Sequence, residues 1–550
     1  MLYYIKSMPG GLMNIASQGN SNVLFTGNPT KTFFKSTYHK YTNFGMQKFR
    51  IDYKGLRHLK YKQDTVMEFK VPRYAELLAD TYIVVNLPDI WSPFYFDQDN
   101  NARPYEFKWV DDIGLAMIKD IEICAGSSII SKFSGEYLHC LKERDFTTTQ
   151  REKFNKMTGN ITEYVNPANT DHNVNMYPNA YRFSGQTDDI EPSIRGRKLF
   201  IPLSAWFCNS MKVSLPLVAI QYQEITIKVT FRPTQELYTI LDVEYDGYDN
   251  TVGYLPRIAP EPNNARHQLW RFLQQPLDDR ATQYQNTTRM DWRADVHLMG
   301  NYVFLSNDER RVFANDTHSI LTKQVYEHHH LNATGTRIIP IEGTTGMVST
   351  YMLRFRRSDV SKRNEWFNYT NWAFSNMKPQ SIDLPEDFSG NAAPFANPFN
   401  YEITGPVNVE NQKMILNELG IQMDGIYREN VLDQGIYNYV EKWTRSSGAA
   451  KDGLYIYNFG VKNNMFEYQP SGAMNVSKYK EVAFEYNTIE PPLAENPTHI
   501  DQICDGSGQI IAIRKNPYSL YKYNYDLCVF EERYNFVKIV SGNVGLSYAR

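Results

Sequence analysis

The run from Leu217 to Val243, LVAIQYQEITIKVTFRPTQELYTILDV, constrains the fold of this chain more than any other stretch. From Ile225 to Arg232 apolar and polar residues alternate without interruption: Ile225, Ile227, Val229 and Phe231 point to one side, Thr226, Lys228, Thr230 and Arg232 to the other. A period of two is the pleat of a β-strand, and a strand apolar on one side belongs to an antiparallel sheet with one face on a core. Pro233 has no amide hydrogen to donate, so the strand ends there. The polar, proline-dotted sequence that follows, to about Asn286, reads as a linker, which makes this run the last strand of a first β-domain.

The length of 550 residues is too great for one hydrophobic core, and all-β domains of roughly 200–250 residues each would divide it in two. Aromatics make up 14% of the chain, and 31 Gly and 27 Pro supply turns, so the fold class is all-β. A net charge of −3 argues against sequence-independent nucleic-acid binding, which needs a large basic excess. Five cysteines (Cys124, Cys140, Cys208, Cys504, Cys528) are odd in number and without CxxC spacing, and are expected as reduced thiols. No run reaches the ~18 apolar residues of a membrane span, and the start of the chain has no apolar stretch of signal-peptide length; folding in the cytoplasm is expected.

Residues 1–22, rich in Gly, Asn and Ser, read as an extended arm. In VLFTGNPTKTFFKSTYHKYTNF, from Val23, Gly27-Asn28-Pro29 separates two expected strands. Nine Lys or Arg lie between Lys31 and Lys62 against one acid, Asp52, and Lys48, Arg50, Lys54, Arg57, Lys60 and Lys62 are candidates for an inward-facing basic segment that meets an anionic partner. Their ordinary alternative is the solvated face of edge strands. Strand patterns recur at TVMEFKVP, DTYIVVNLP, DIEICA and IISKFS, then GEYLHCLKERD has helical spacing and reads as a short helix over a sandwich end. Residues 146–195 read as an insertion. In the second half a strand ending at Leu305 precedes a helix capped by Ser306 or Asn307, with Asp308 and Glu309 in its first turn. Seven further strand patterns follow, broken by a Pro-, Asn- and Phe-rich loop over 371–408.

Chemical motifs are sparse. There is no GxxxxGK[ST], no GxSxG, and no Cys and His spacing that suggests a nucleophile with its base. His328-His329-His330, after His318, resembles part of a metal site, but the next Glu in sequence is Glu342, so a structural role is expected and no cofactor is assigned. Six Asn-x-Ser/Thr sequons occur, at Asn160, Asn286, Asn315, Asn332, Asn368 and Asn475, in a chain rich in Asn, where chance yields several.

GGLMNIASQGNSNVLFTGNPTKTFFKSTYHKYTNF, DIEICAGSSIISKFSGEYL, FRPTQELYTI, FLSNDERRVFA, YQPSGAMNVSKYKEVAFEYN and RYNFVKIVSGNVGLSYA, in that order from residue 10 to 549, resemble the major capsid proteins of nucleocytoplasmic large DNA viruses. The resemblance implies a double jelly roll, two eight-stranded antiparallel sandwiches in tandem with short helices and long loop insertions, expected over 23–245 and 246–550 with a linker at about 246–290. It implies a structural protein of the virion, not an enzyme, that forms homotrimers and tiles an icosahedral shell with minor capsid and penton proteins; an internal viral membrane is one anionic partner that the basic segment could meet. A carbohydrate-binding or carbohydrate-active β-sandwich shares the composition but does not account for the ordered motifs.

Overall fold

The computed structural model describes residues 10–96, 102–170, 176–178, 191–241, 243, 257–276, 292–375, 409–493, 500–504, 510–515 and 521–548. Two units are present, Met1–Phe44 and Gly45–Arg550. In the first, Gly10–Ala16 and Val23–Thr26 are short helices, and among the described residues no strand forms before Phe44. The two strands expected from Val23 onward are therefore absent. Phe33, Phe34 and Tyr38 are 88%, 98% and 90% exposed. Their own unit offers no apolar layer to bury them, and alternation alone does not make a strand.

The second unit contains two sets of eight principal strands. The first set is β1 (Phe44–Asp52), β2 (Thr65–Lys70), β3 (Leu77–Leu87), β4 (Ile118–Ala125), β5 (Ser128–Ser134), β6 (Arg197–Pro202), β7 (Ile225–Phe231) and β8 (His297–Leu305). The second is β9 (His318–His330), β10 (Thr336–Pro340), β11 (Met347–Arg357), β12 (Leu416–Met423), β13 (Ile426–Asp433), β14 (Leu454–Asn458), β15 (Val482–Thr488) and β16 (Tyr525–Val540). The sheets of the first set run β1-β8-β3-β6 and β2-β7-β4-β5, and those of the second β9-β16-β11-β14 and β10-β15-β12-β13. Counted from the start of each set, both orders are 1-8-3-6 and 2-7-4-5. Two four-stranded antiparallel sheets so connected are a jelly roll, and the chain holds two.

The alternating run is β7, and it is a central strand: Val229 lies opposite Met67 of β2 on one side and Ile121 of β4 on the other. Ile227, Val229 and Phe231 are fully buried, while Lys228 and Thr230 are half-buried. The strand stops before Pro233, as expected, but it is not the last of its half. β8 pairs with β3 (His297 opposite Val84, Met299 opposite Tyr82) and adjoins β1, so a strand expected beyond the division hydrogen-bonds inside the first pair of sheets. Nor are the described residues of the expected linker a loose tether, because Leu269 and Phe272 are fully buried in the first core. A strand that follows a long excursion carries no sequence mark of which sheet edge it returns to.

Between β5 and β6, α1 (Gly135–Asp145) forms as expected, and Ser134 Oγ accepts from the Tyr137 amide at 3.1 Å. The expected insertion opens with α2 (Thr148–Thr158), which starts on a Thr147–Gln150 capping box and stops at Gly159, whose φ of 83° suits only a residue without a side chain. After β8 comes α3 (Asn307–Asn315), with Ser306 at its N-cap position although its hydroxyl makes no capping bond. After β13 the chain forms α4, wound as a π-helix over Ile436–Val440 and continuing as an α-helix over Glu441–Arg445. Residues 376–408 of the expected long loop lie outside the described residues.

Two cores result. One lies between β10-β15-β12-β13 and the inner face of its partner sheet, around Tyr351, Leu353, Phe484 and Val529. The other fills the first jelly roll and runs on to Met352, Leu454, Cys528 and Phe530, on the outer face of the second jelly roll. The sheet β9-β16-β11-β14 is thus buried on both faces over β11, β14 and the first half of β16. Shortening Ile227 to Ala should cost about 2–5 kcal/mol of unfolding free energy, as for other fully buried aliphatic truncations. Thr230→Ala on the half-buried side should cost under about 1 kcal/mol. Denaturant unfolding of the two variants checks the difference.

Candidate functional site

The densest polar chemistry among the described residues is where α1 meets the outer face of β9-β16-β11-β14. All eleven residues of α1 are buried, six of them ionisable acids, bases or histidine: Glu136, His139, Lys142, Glu143, Arg144 and Asp145. Charges removed from water persist only when paired and hydrogen-bonded. Arg144 and Asp145, neighbours in the chain, form a two-pronged pair at 2.7 and 2.9 Å, and the remaining Arg144 nitrogen reaches Glu532 Oε1 of β16 at 2.8 Å. Glu532 also accepts from the Tyr137 hydroxyl at 2.8 Å and from Asn463 at 3.1 Å. At the other end of α1, Glu136 receives two bonds from Arg354 of β11, at 2.6 and 3.0 Å, with Arg356 at 3.4 Å.

The end of α1 is closed by the second half. A helix leaves its last carbonyls without internal partners. Here the amides of Gly448 and Ala450 donate to Arg144 O at 2.8 Å and Glu143 O at 2.9 Å, and Ser447 Oγ donates to Asp145 O at 2.6 Å. A Cβ at Gly448 would stand 2.3 Å from Glu143 O, so only glycine permits this approach.

Burial pushes the Glu136 carboxyl up, and the guanidinium groups of Arg354 and Arg356 more than offset that, bringing it down to about 2. Burial and then the pull of Arg144 and Lys323 act the same way on Glu532, with a net lowering. Burial works against the Arg144 charge, but Asp145 and Glu532 hold it well above the ordinary range. The arrangement fixes charge; it offers no free base.

Beside it, Asp112, His139 and Glu143 bring three metal-type donors within 4.8 Å of one another. Lys142 Nζ stands 2.5 Å from Asp112 Oδ2, and Arg151 is 2.8 Å from Glu143. These cations already neutralise both carboxylates; burial, with Lys142 nearby, lowers the His139 pKa against the raising contact to Asp112 at 2.9 Å, and the ring is stacked on Phe367 at 4.0 Å. The donor set suits an ion cluster better than a dication. A cleft of about 710 Å³ adjoins the cluster, lined by acids and bases alike, including Glu365, which burial and Asp111 push up to about 7.

The basic segment is divided by the fold. Arg50 and Arg57 share Asp295 at 2.9 and 3.0 Å and Asp52 at 2.7 and 3.0 Å, so both are committed to carboxylates. Lys48, Lys54, Lys60 and Lys62 are exposed. Of the sequons, Asn315 and Asn475 are exposed and Asn160 is half-buried, whereas Asn332 and Asn368 are buried and excluded as acceptors in the folded chain. Asn368 instead binds its own turn, donating to Trp372 O at 2.8 Å and accepting from Thr370 Oγ1 at 2.7 Å. Asn286 lies outside the described residues. In the histidine run, Glu531 of β16 comes within 3.1 Å of His328, a carboxylate that sequence distance concealed, but no third donor joins them among the described residues. Cys124, Cys140, Cys208 and Cys528 are free thiols, and burial pushes Cys208 up to about 12. Sequence reasoning missed the α1 junction, although six ionisable residues within eleven and the pair Glu531-Glu532 inside an apolar strand both signal buried charge.

A pair of jelly rolls joined through a buried ionic helix defines a double jelly-roll fold. Residues 32–306 match the family described as major capsid protein N-terminus, and residues 309–545 that described as large eukaryotic DNA virus major capsid protein. The chain belongs to this family. It is 23% identical to the major capsid protein of Paramecium bursaria Chlorella virus 1, over 98% of this chain and 100% of that one. It is 22% identical to probable capsid protein 4 of Acanthamoeba polyphaga mimivirus, over 87% and 92%. The match to the major capsid protein of Chrysochromulina ericina virus, 27% identical, covers 58% of this chain and about half, 52%, of that relative. Among solved structures, the PBCV-1 virus capsid aligns with a TM-score of 0.59 at 16% identity over 94% of this chain and 100% of the other. The Faustovirus major capsid protein aligns with a TM-score of 0.59 at 13% identity over 96% of each.

Breaking one buried pair leaves its partner charge uncompensated, so Glu136→Gln should destabilise the chain by about 3–5 kcal/mol. The pH dependence has a definite sign. A carboxyl lowered on folding contributes stability that is present above its unfolded pKa near 4.5 and is lost as pH falls toward about 2. Unfolding free energy of the wild type should therefore drop through that window, and the drop should be shallower in Glu136→Gln. Chemical denaturation at pH 2.5, 4 and 6 checks both.

Proposed function

We propose that this chain, a structural protein of the virion, assembles as homotrimers that tile the capsid shell as pseudo-hexagonal capsomers. The observation that carries this reading is the duplication: two jelly rolls of identical strand order in one chain. Three copies around a threefold axis present six similar barrels in a ring, a near-hexagonal block whose edges are alike enough to tile a facet. The relatives are named capsid proteins, and one aligned structure is a virus capsid. We take the first jelly roll to run from about residue 45 to 306 and the second onward from there, the division supported by the pairing of β8 and by the limits of the two family matches.

In this reading the basic segment faces the particle interior, toward minor capsid proteins or an anionic internal membrane, and its effective charge is carried by Lys48, Lys54, Lys60 and Lys62, since Arg50 and Arg57 are already paired. Shell assembly in infected-cell cytoplasm and contacts with penton proteins follow from the same reading.

Light scattering on the purified chain should report about three times 64.0 kDa at micromolar concentration. A folded protein that is mainly monomeric or dimeric refutes the capsomer. Reversing the four lysines to Glu should leave the trimer mass unchanged and reduce shell yield in a particle-assembly assay; normal particles would show the segment to be only a solvated face.

A further inference from the structure

The two oxygens of Glu532 have different surroundings. Oε1 accepts from Arg144 and from the Tyr137 hydroxyl, both at 2.8 Å. Oε2 accepts from Asn463 Nδ2 at 3.1 Å and stands 3.9 Å from Lys323 Nζ. Lys323 lies on β9 opposite Tyr534 of β16, and Asn463 follows β14, so three separate parts of the second jelly roll converge here. Glu532 and Asn463 are buried, and the Lys323 side chain is 18% exposed. A lysine that needed only a counter-charge would close on the carboxylate. This one stops short of it and donates instead to Asn463 Oδ1, a neutral amide oxygen. The amide is held in that orientation from its other side, where Nδ2 donates to Thr350 Oγ1 as well as to Glu532, and Thr350 in turn donates to Asn458 Oδ1 at 3.0 Å. The carbon of the amide is one C=O bond, about 1.2 Å, beyond the oxygen that Lys323 touches, so amine and carbon are near attack distance.

A primary amine, a carboxamide against it and a carboxylate that reaches both the amine and the leaving nitrogen are the parts of an amide-forming site. We propose that Lys323 and Asn463 join in an intramolecular isopeptide bond, formed by the folded chain itself with Glu532 as the proton carrier. Burial lowers the Lys323 pKa more than Glu532 raises it, which favours the neutral amine that attack requires. Glu532 Oε2 takes a proton from the Lys323 ammonium, and the freed lone pair of Nζ attacks Asn463 Cγ. A second Nζ proton passes through Glu532 to Nδ2, the Cγ–Nδ2 bond breaks, and ammonia leaves. The product is an Nζ–Cγ amide with Glu532 left as a neutral acid, so one cation and one anion vanish together while Arg144 keeps Asp145. A cavity of about 80 Å³ lined by Lys323, Glu532 and Met465 adjoins the site and has room for the departing ammonia. Because Oε1 is already committed and Oε2 faces only these two side chains, the carboxylate serves a reaction inside the chain and no outside substrate. The bond would tie β9 to the segment after β14 across 140 residues, a cross-link that does not depend on redox state in a chain whose described cysteines are free thiols.

Intact-mass spectrometry of the purified full chain should give its sequence mass less one ammonia. Proteolysis and tandem mass spectrometry should then find the Lys323 and Asn463 peptides joined as one branched species. Neither readout depends on a variant that folds. Lys323→Arg and Asn463→Ala should each restore the full sequence mass, and in a denaturing gel both should run behind the wild type, whose closed loop keeps the unfolded chain more compact. Glu532→Gln, which retains hydrogen bonding to Asn463 but carries no proton, should also show the full mass; a cross-link that forms as completely in this variant overturns the role given to Glu532. A wild type of undiminished mass overturns the isopeptide bond itself and leaves the three side chains as a hydrogen-bonded cluster. So does an ammonia deficit carried by the Asn463 peptide alone, which is a succinimide and not a cross-link.

Discussion

Arg144 is the residue on which the joining of the two jelly rolls depends. It is fully buried, it has an acid beside it in its own helix, and it takes its second acid, Glu532, from the far jelly roll. Removing the far half would leave Arg144 with one carboxylate and Glu532 with a desolvated charge. An uncompensated buried ion costs several kcal/mol, so the two halves are held in register by the penalty for separating them more than by the gain of meeting. The pairing of Arg354 with Glu136 at the other end of α1 does the same, and two such anchors about a helix length apart fix orientation as well as contact.

That device explains why the centre of one sheet is covered on both faces. β9-β16-β11-β14 has its own core on one side and α1 with the first core on the other, which is why strands such as β11 and β14 are buried almost residue for residue and show no clean alternation. β2, with one wet face, alternates without fault. The difference is environment, not strand type.

Duplication in the chain produces an asymmetry in the fold. The two jelly rolls have the same strand order, yet only the first has its helix covered, because a chain with two units has one internal junction and two outer faces. The apolar outer face of α4, with Trp443 88% exposed, is the consequence.

The all-β class, the position of most strands, α1 with its cap, and the stop at Pro233 were legible in the sequence because each is decided by neighbours a few residues apart: side-chain alternation, a Ser before a helix, a missing amide hydrogen. The family resemblance was legible for the same reason, through short strings of residues. Three features were not. β8 joins the first jelly roll across more than sixty intervening residues after β7, the arm aromatics from Phe25 to Tyr41 find no layer to bury them, and Glu531 reaches His328 from some two hundred residues away. Likewise Arg50 and Arg57, cationic on the page, are matched by Asp295 far along the chain, leaving the lysines as the open charge. Sequence by itself determined where most of the strands of the two jelly rolls lie and that there are two sets of them. Only the tertiary structure decided which strands are neighbours, which charges are paired and which helix is left uncovered, because those depend on contacts between residues whose separation along the chain carries no information about their separation in space.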